Sequence, residues 1–373
     1  MSLGVFAMAP SVAAMSDAQA QARRYLDRLL ADDDAPGLQY LFLSDDAVLY
    51  SHTGGMADLV NREPVTDLTT FNAYSVTKTF AAAAILQLAE QGKVGLDRPI
   101  AQYLDQFPYD KSPTIRETLT HTGGFPNPNP MPWVHLTGEH AAFDKAQFVG
   151  EVLRSHNRLK SEPGRTYAYS NVGYLLLGEV IEKVSGQAFT EYVEQHLIRP
   201  LRLRDGETLA FAITRPQDHA RGYLERWSLL NLALGFFIDR NRHIDARSGR
   251  WVQLRNLYVN GAAYGGLIGN ARGFARYMQA LLGRDDYLSP AIRALLLTPA
   301  HGPRGMELSR SVGWFFGNLK GEHYCTHAGG AAGYYCEIRI YPRIGRASVV
   351  MFNRTGIRDE RILDRIDGYF VTG

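Results

Sequence analysis

The sequence predicts an α/β (α+β) fold in which a sheet layer is assembled from both ends of the chain and a mainly helical domain is inserted between them. Three observations carry this expectation. Two short apolar runs near the N-terminus, Leu38 to Leu43 and Ala47 to His52, flank the turn-forming Ser44-Asp45-Asp46. Four more follow Gly313, namely Trp314 to Leu319, Tyr324 to His327, Tyr335 to Tyr341 and Ala347 to Asn353, with turn residues between them. Between the two groups the apolar residues recur at mostly helical spacing. The expected domains are residues 16–74 with 303–373 for the sheet layer and 75–302 for the helical insertion.

In chain order, Asp17 to Ala31 reads as an amphipathic helix capped by Ser16, with Ala22, Leu26, Leu29 and Leu30 on one face. The two N-terminal runs then form a β-hairpin. From Ser75 the pattern changes, and the Ala/Leu-rich stretch Phe80 to Gln91 is a helix closed by Gly92. Phe125 to Trp133 carries four prolines and is a loop. Tyr174 to Val184 and Phe189 to Ile198 are helices parted by Ser185-Gly186, and Gly273 to Leu282 is another. A final helix, Arg358 to Phe370, closes the chain.

Composition removes several classes of function. The 373 residues carry a net charge of only +2, with thirty-three Arg against seven Lys and no basic block, so no field exists to hold nucleic acid. Cys325 and Cys336 are too few for a disulfide scaffold or a four-cysteine zinc site. They flank a glycine-rich turn, and two unbridged half-buried residues are the favoured reading. The eleven His show no ligand spacing, so no metal and no cofactor is expected. The longest apolar run, Trp227 to Ile238, is too short to span a bilayer. The first fifteen residues are apolar and small but lack the basic n-region of a signal peptide. A periplasmic location behind a trimmed leader and a cytoplasmic one both stay open. Asn353-Arg354-Thr355 is a formal glycosylation sequon on a predicted strand.

No GxSxG elbow, Walker-A loop, HExxH or strand-linked GxGxxG occurs. What does occur is Ser75-Val76-Thr77-Lys78, where strand pattern gives way to helix. Residues three apart on a helix share a face, so the Ser75 hydroxyl and Lys78 amine are neighbours. A hydroxyl is a weak nucleophile until a base takes its proton, and a desolvated lysine is such a base. A helix N-terminus adds backbone N–H groups for a developing oxyanion. The plain alternative is a serine cap followed by a solvated lysine. Tyr169-Ser170-Asn171 offers a phenol to relay a proton and an amide to orient a lysine or hold a carbonyl. Tyr258-Val259-Asn260 is a second copy of that pattern. In His327-Ala328-Gly329-Gly330 the imidazole can donate to a substrate, and the glycines let a substrate approach the backbone.

The order Ser-x-x-Lys, Tyr-x-Asn, then a basic residue followed by x-Gly resembles the serine β-lactamase and penicillin-binding-protein superfamily. The nearest branch is that of the class C β-lactamases, the D-alanyl-D-alanine carboxypeptidases and their esterase relatives. Flanking text agrees: FNAYSVTKTFAAAAILQLAEQGKVGLDRPIAQYL, TIRETLTHTGG and PGRTYAYSNVGYLLLGEVIEKVSGQ all resemble that branch, and the last selects Tyr169 over Tyr258. The resemblance spans roughly residues 36 to 355. It implies an antiparallel sheet flanked by terminal helices beside a helical domain, with the site in the cleft between. It implies Ser75 as nucleophile, Lys78 and Tyr169 sharing the proton shuttling, and Asn171 positioning Lys78 and substrate. The N–H groups of Ser75 and Gly330 would form the oxyanion hole, and His327 and Gly329 would line the substrate side. Which of Lys78 and Tyr169 is the acylation base is left open.

Two departures matter. His327-Ala328-Gly329 stands where the family usually has Lys-Thr-Gly, and alanine removes a hydroxyl that would bind a substrate carboxylate. One charge-assisted hydrogen bond of that kind is worth about 1.5–3 kcal/mol. Simple esters and amides therefore rank above carboxylate-bearing substrates. The segment Arg221 to Tyr264 does not align, and its apolar core Leu229 to Ile238 reads as a packing helix or a roof over the pocket. The expected function is a serine hydrolase acting through an acyl-enzyme on a small ester or amide. A true β-lactamase or D-Ala-D-Ala carboxypeptidase is the first alternative, and a non-catalytic ligand-binding protein of this fold the second.

Overall fold

The computed structural model describes residues 12–228, 239–283, 287–300, 309–355 and 362–371. Helix α1 (Val12–Ala31) leads into the hairpin β1 (Gly37–Ser44) and β2 (Val48–Asp58), followed by β3 (Glu63–Pro64) and β4 (Phe71–Asn72). Then come α2 (Thr77–Glu90), α3 (Ile115–Leu119), β5 (Val134–Leu136), α4 (Lys145–Ser155), α5 (Asn171–Ser185) and α6 (Phe189–Val193). Short strands β6 (Leu209–Ala210), β7 (Gly222–Glu225), β8 (Ile244–Ser248), β9 (Trp251–Leu254), β10 (Leu257–Val259) and β11 (Ile268–Gly269) follow. The chain ends with β12 (Phe315–Leu319), β13 (Glu322–Ala331), β14 (Tyr334–Tyr341), β15 (Arg346–Phe352) and a helix, Ile362–Asp367.

Seven strands form one sheet in the order β12-β13-β14-β15-β1-β2-β3, with every pairing antiparallel. The N-terminal hairpin joins the C-terminal meander through β1 and β15, with Tyr40 opposite Val350. Successive side chains on a strand face opposite ways, and both faces of this sheet are covered. Leu38, Tyr40 and Phe42 meet Ala22 and Leu26 of α1 and Ile366 and Phe370 at the C-terminus, where the Phe42 and Phe370 rings stack at 4.6 Å. Leu41, Leu43, Val349 and Met351 face inward and join the core that holds α2 and the helix Ala271–Leu282. That helix falls within the 75–302 range, yet it packs directly on β1 and β15.

Helix α2 is buried on all sides from Thr77 to Leu86. Its four consecutive alanines, Ala81 to Ala84, let neighbours approach from every direction. Phe80 stacks on Tyr277 at 4.0 Å, and α5 packs alongside. Gly92 follows α2 at φ +72°, as its place after the predicted helix requires.

Several expectations need correction. Ser16 is not a cap, because α1 begins at Val12 and runs through it. The 221–264 segment carries the three-stranded sheet β7-β9-β8, and the expected packing helix or roof, Leu229 to Ile238, lies outside the described residues. Arg358 to Arg361 also lies outside them, and the final helix is described from Ile362. Cys325 and Cys336 are unbridged, in line with the favoured reading, but fully buried and not half-buried, with Cys325 opposite Ile340 and Cys336 opposite Gly329. Asn353 is buried and its amide donates to the Met56 carbonyl at 2.9 Å, which withholds the sequon from any glycosylating enzyme in the folded state. Among the described residues no helix is long and apolar enough to cross a membrane.

Candidate active site

One turn of 3₁₀ helix, Tyr74–Val76, feeds α2. Tyr74 is held at φ +45°, a conformation disfavoured for a residue with a Cβ. The surroundings compensate for it. Its hydroxyl donates to the Ala332 carbonyl at 3.1 Å, and its own carbonyl accepts from Thr77 Oγ1 at 2.6 Å. Between two buried residues, Ser75 is the half-open one.

Lys78 lies one turn further on and is completely buried. Its Nζ sits 3.1 Å from Ser75 Oγ and donates to Asn171 Oδ1 at 2.8 Å and to the Tyr264 carbonyl at 2.7 Å. The rings of Tyr169, Tyr174 and Tyr264 surround it at 5.0, 5.5 and 5.6 Å. No carboxylate among the described residues pairs with it. Burial therefore pulls its pKa well below the ordinary lysine value.

Tyr169 and Asn171 arrive together at the start of α5. Ser170 caps this helix, accepting from the Gly173 N–H at 3.1 Å and donating to the Pro126 carbonyl at 2.7 Å. The Asn171 N–H donates to Asn127 Oδ1 at 3.0 Å, so the proline-rich loop anchors the helix start. The Tyr169 hydroxyl donates to Ser75 Oγ at 2.8 Å. Ser75, Lys78, Tyr169 and Asn171 thus form one connected cluster, as their order in the sequence implied. Tyr258 is engaged elsewhere, its hydroxyl oxygen accepting from the Ile213 N–H at 2.9 Å.

Strand β13 forms the other wall. A Cβ at Gly329 would lie 2.6 Å from Ser75 N and 2.1 Å from the Ala73 carbonyl oxygen, so only glycine permits this approach. At Gly330 the nearest atom to such a Cβ is Tyr335 Cδ2 at 3.3 Å, and the position is exposed. Ala328 points the other way and packs with the cluster on the outer face of the sheet. His327 is buried, its ring 5.4 Å from that of Phe315. Burial, then the nearby Lys78, pushes its pKa down to about 3.

Two contributors carried no sequence signal of their own role. The Tyr264 carbonyl holds Lys78 through the backbone, which any residue could supply. His121 lies inside TIRETLTHTGG, at φ +56°. Its carbonyl accepts from the Ala168 N–H at 2.8 Å, its Nδ1 accepts from the Ser170 N–H at 3.1 Å, and its ring lies 4.4 Å from that of Tyr169. Among the described residues no cluster of His, Cys, Asp or Glu is arranged to hold a metal ion.

The family profile described as Beta-lactamase matches residues 22–368. The chain belongs to the beta-lactamase family. Among curated relatives, this family member is 26% identical over 293 residues to "Penicillin-binding protein 4*" of Bacillus subtilis, covering 77% of this chain and 61% of that protein. It is 27% identical over 196 residues to "Protein flp" of Staphylococcus aureus strain MW2, covering 51% of this chain and 38% of that protein. The chain thus spans about two fifths to three fifths of the length of these relatives. Among solved structures, the octameric penicillin-binding protein homologue from Pyrococcus abyssi superposes with a TM-score of 0.73 at 24% identity, over 90% of this chain and 73% of that one. The D-amino acid amidase from Ochrobactrum anthropi SV3, solved with L-phenylalanine amide, gives 0.72 at 18% identity, over 95% and 98%. These likenesses establish the β-lactamase-like fold that the sequence implied.

Proposed function

We propose that this beta-lactamase-family chain is a cofactor-independent serine hydrolase that cleaves a small ester or amide through an acyl-enzyme on Ser75. One observation carries the reading: a completely buried lysine, without a carboxylate partner among the described residues, lies 3.1 Å from a half-open serine hydroxyl.

Hydrogen-bond accounting, with Lys78 taken as the neutral amine that its lowered pKa favours, supports the following roles. Asn171 Oδ1 and the Tyr264 carbonyl only accept, so each consumes one N–H of Lys78. A neutral amine has two N–H groups, and its remaining lone pair faces Ser75 Oγ. Lys78 is then the acylation base. Its proton comes from Ser75 Oγ–H as the Oγ–carbon bond forms, and the Ser75 and Gly330 N–H groups receive the oxyanion. Tyr169, already donating to Ser75 Oγ, gives its proton to the leaving group as the scissile bond breaks, and recovers one from the Lys78 ammonium. Water then attacks the acyl-enzyme by the same relay in reverse, returning Ser75 its proton.

Support for ranking plain esters and amides above β-lactams and D-Ala-D-Ala peptides comes from His327, whose pKa burial pushes down, so that it offers no cation to a substrate carboxylate. The test is p-nitrophenyl butyrate hydrolysis by wild type and Ser75→Ala at matched circular dichroism, with nitrocefin as the comparison substrate. Loss of esterase activity in the variant is expected. Equal rates would return Ser75 to the role of a helix-entry residue, and dominant nitrocefin turnover would reverse the substrate ranking.

A further inference from the structure

We infer that His327 forms a subsite for a hydrogen-bond donor of the substrate, an N–H or ammonium group close to the scissile carbonyl. The inference rests on the serine-hydrolase reading above and names the substrate class that site takes.

Placement comes from the strand. His327 and Gly329 are two residues apart on β13, so their side-chain positions share one face, about 7 Å apart. It is the Gly329 position on that face that abuts Ser75 N. His327 therefore stands beside the nucleophile, next to the ring of Phe315.

Polarity follows from the ring's one hydrogen bond. His327 Nδ1 lies 2.9 Å from the Ala328 carbonyl oxygen, which only accepts, so the ring proton sits on Nδ1. In the neutral imidazole, Nε2 then presents a lone pair. That atom is buried and has no hydrogen-bond partner among the described residues. A buried acceptor left without a donor costs stability, and a ligand that supplies the donor recovers it. The surroundings of the ring favour the neutral state: burial is complete, the Lys78 amine lies close by, and no carboxylate among the described residues acts on it. His121, which senses His327 in turn, is likewise held neutral by burial and by Lys78. A family lysine at this place would present a cation to an anionic substrate group. His327 inverts that preference.

Two probe sets place a donor on either side of the scissile bond. On the leaving side, S-butyryl-N-acetylcysteamine carries one amide N–H, its N-methyl analogue none, and S-butyryl mercaptoacetate a carboxylate. On the acyl side, the p-nitroanilides of β-alanine, butyric acid and succinic acid place an ammonium, a methyl and a carboxylate at one position. In at least one set, kcat/KM of the donor member should exceed that of the donor-free member by about tenfold, the worth of one hydrogen bond to a buried acceptor. His327→Leu should bring that ratio close to one, and His327→Gln, whose Oε1 is again an acceptor, should restore it. The wild-type ratio stands as a test even where a variant does not fold. Ratios near one in both sets overturn the inference. So does fastest turnover of the carboxylate members with rates rising as pH falls, which marks a protonated, donating ring. All ratios are taken on the part of the rate that Ser75→Ala abolishes, so failure of the nucleophile assignment is seen separately.

Discussion

Lys78 and Arg339 are both buried cationic side chains, and their surroundings drive them in opposite directions. Arg339, on the outer face of the sheet, contacts Glu337 at 2.9 Å and Asp364 at 2.5 Å, and lies 3.8 Å over the ring of Tyr324. Burial works against its charge, yet Glu337 and Asp367 carry its pKa upward, and it stays an ion. Lys78 has carbonyl oxygens and ring faces but no acid, so burial alone decides and pulls its pKa down. A buried cation with acids around it holds a fold together, whereas one without them is a base in waiting.

Breaking each group should give different readouts. Lys78→Met should lower kcat for p-nitrophenyl butyrate by about a thousandfold, the middle of the range for loss of a general base, with the protein still folded. Arg339→Met leaves Glu337 buried and unpaired, and should cost about 3–5 kcal/mol in urea unfolding while the folded fraction keeps its kcat. If Arg339→Met removed activity without destabilising the protein, the division of roles between the two regions would collapse.

Two adjacent glycines sharpen the contrast on β13. Gly329→Ala drives a Cβ into Ser75 N and the Ala73 carbonyl, and should cost about 1–3 kcal/mol together with most of the activity. Gly330→Ala meets only the Tyr335 ring edge and should stay within ~0.5 kcal/mol of wild type. Thermal melts and rates on the same preparations check both.

His121 supplies a smaller effect. Because Nδ1 accepts from Ser170, the ring is neutral with its proton on Nε2, and it clamps the segment that carries Tyr169. His121→Ala should reduce kcat by up to about a hundredfold with KM little changed, since a misplaced catalytic group loses rate more than binding. His121→Asn, whose Oδ1 can accept the same bond and which tolerates positive φ, should recover much of it. A KM change in place of a kcat change would make His121 a substrate contact.

The pH profile follows from the same comparison. In the proposed mechanism the neutral amine of Lys78 is the reactive form, so kcat/KM should fall as pH drops through the lowered pKa of Lys78. A rate that rises on acidification would remove Lys78 from the base role.

Legibility in the sequence tracked how local the determining physics was. The hairpin β1–β2 and the helix after Ser75 were readable because turn residues, Gly92 and apolar spacing act within a few residues. The cluster of Ser75, Lys78, Tyr169 and Asn171 was readable because each contributes its own side chain in a recognisable order. The Tyr264 carbonyl was not, because a backbone oxygen leaves no trace in residue identity. Strand β9 was missed because all four of its residues are buried, which erases the alternation that marks a strand. The start of α1 differs because the helix continues back through Ser16 to Val12, so a residue type common at caps stands here in the second turn. Ala328 was expected at the substrate, and the pleat of β13 turns it to the outer face instead.

The central claim is that Lys78 is held as an uncharged amine. With only seven lysines in the chain, ¹³Cε labelling and NMR titration resolve it directly, the Lys78 resonance being the one absent in Lys78→Met. The account predicts that this resonance titrates well below the rest, which should cluster near the ordinary lysine value of about 10.4. Seven resonances titrating together at that value would contradict it.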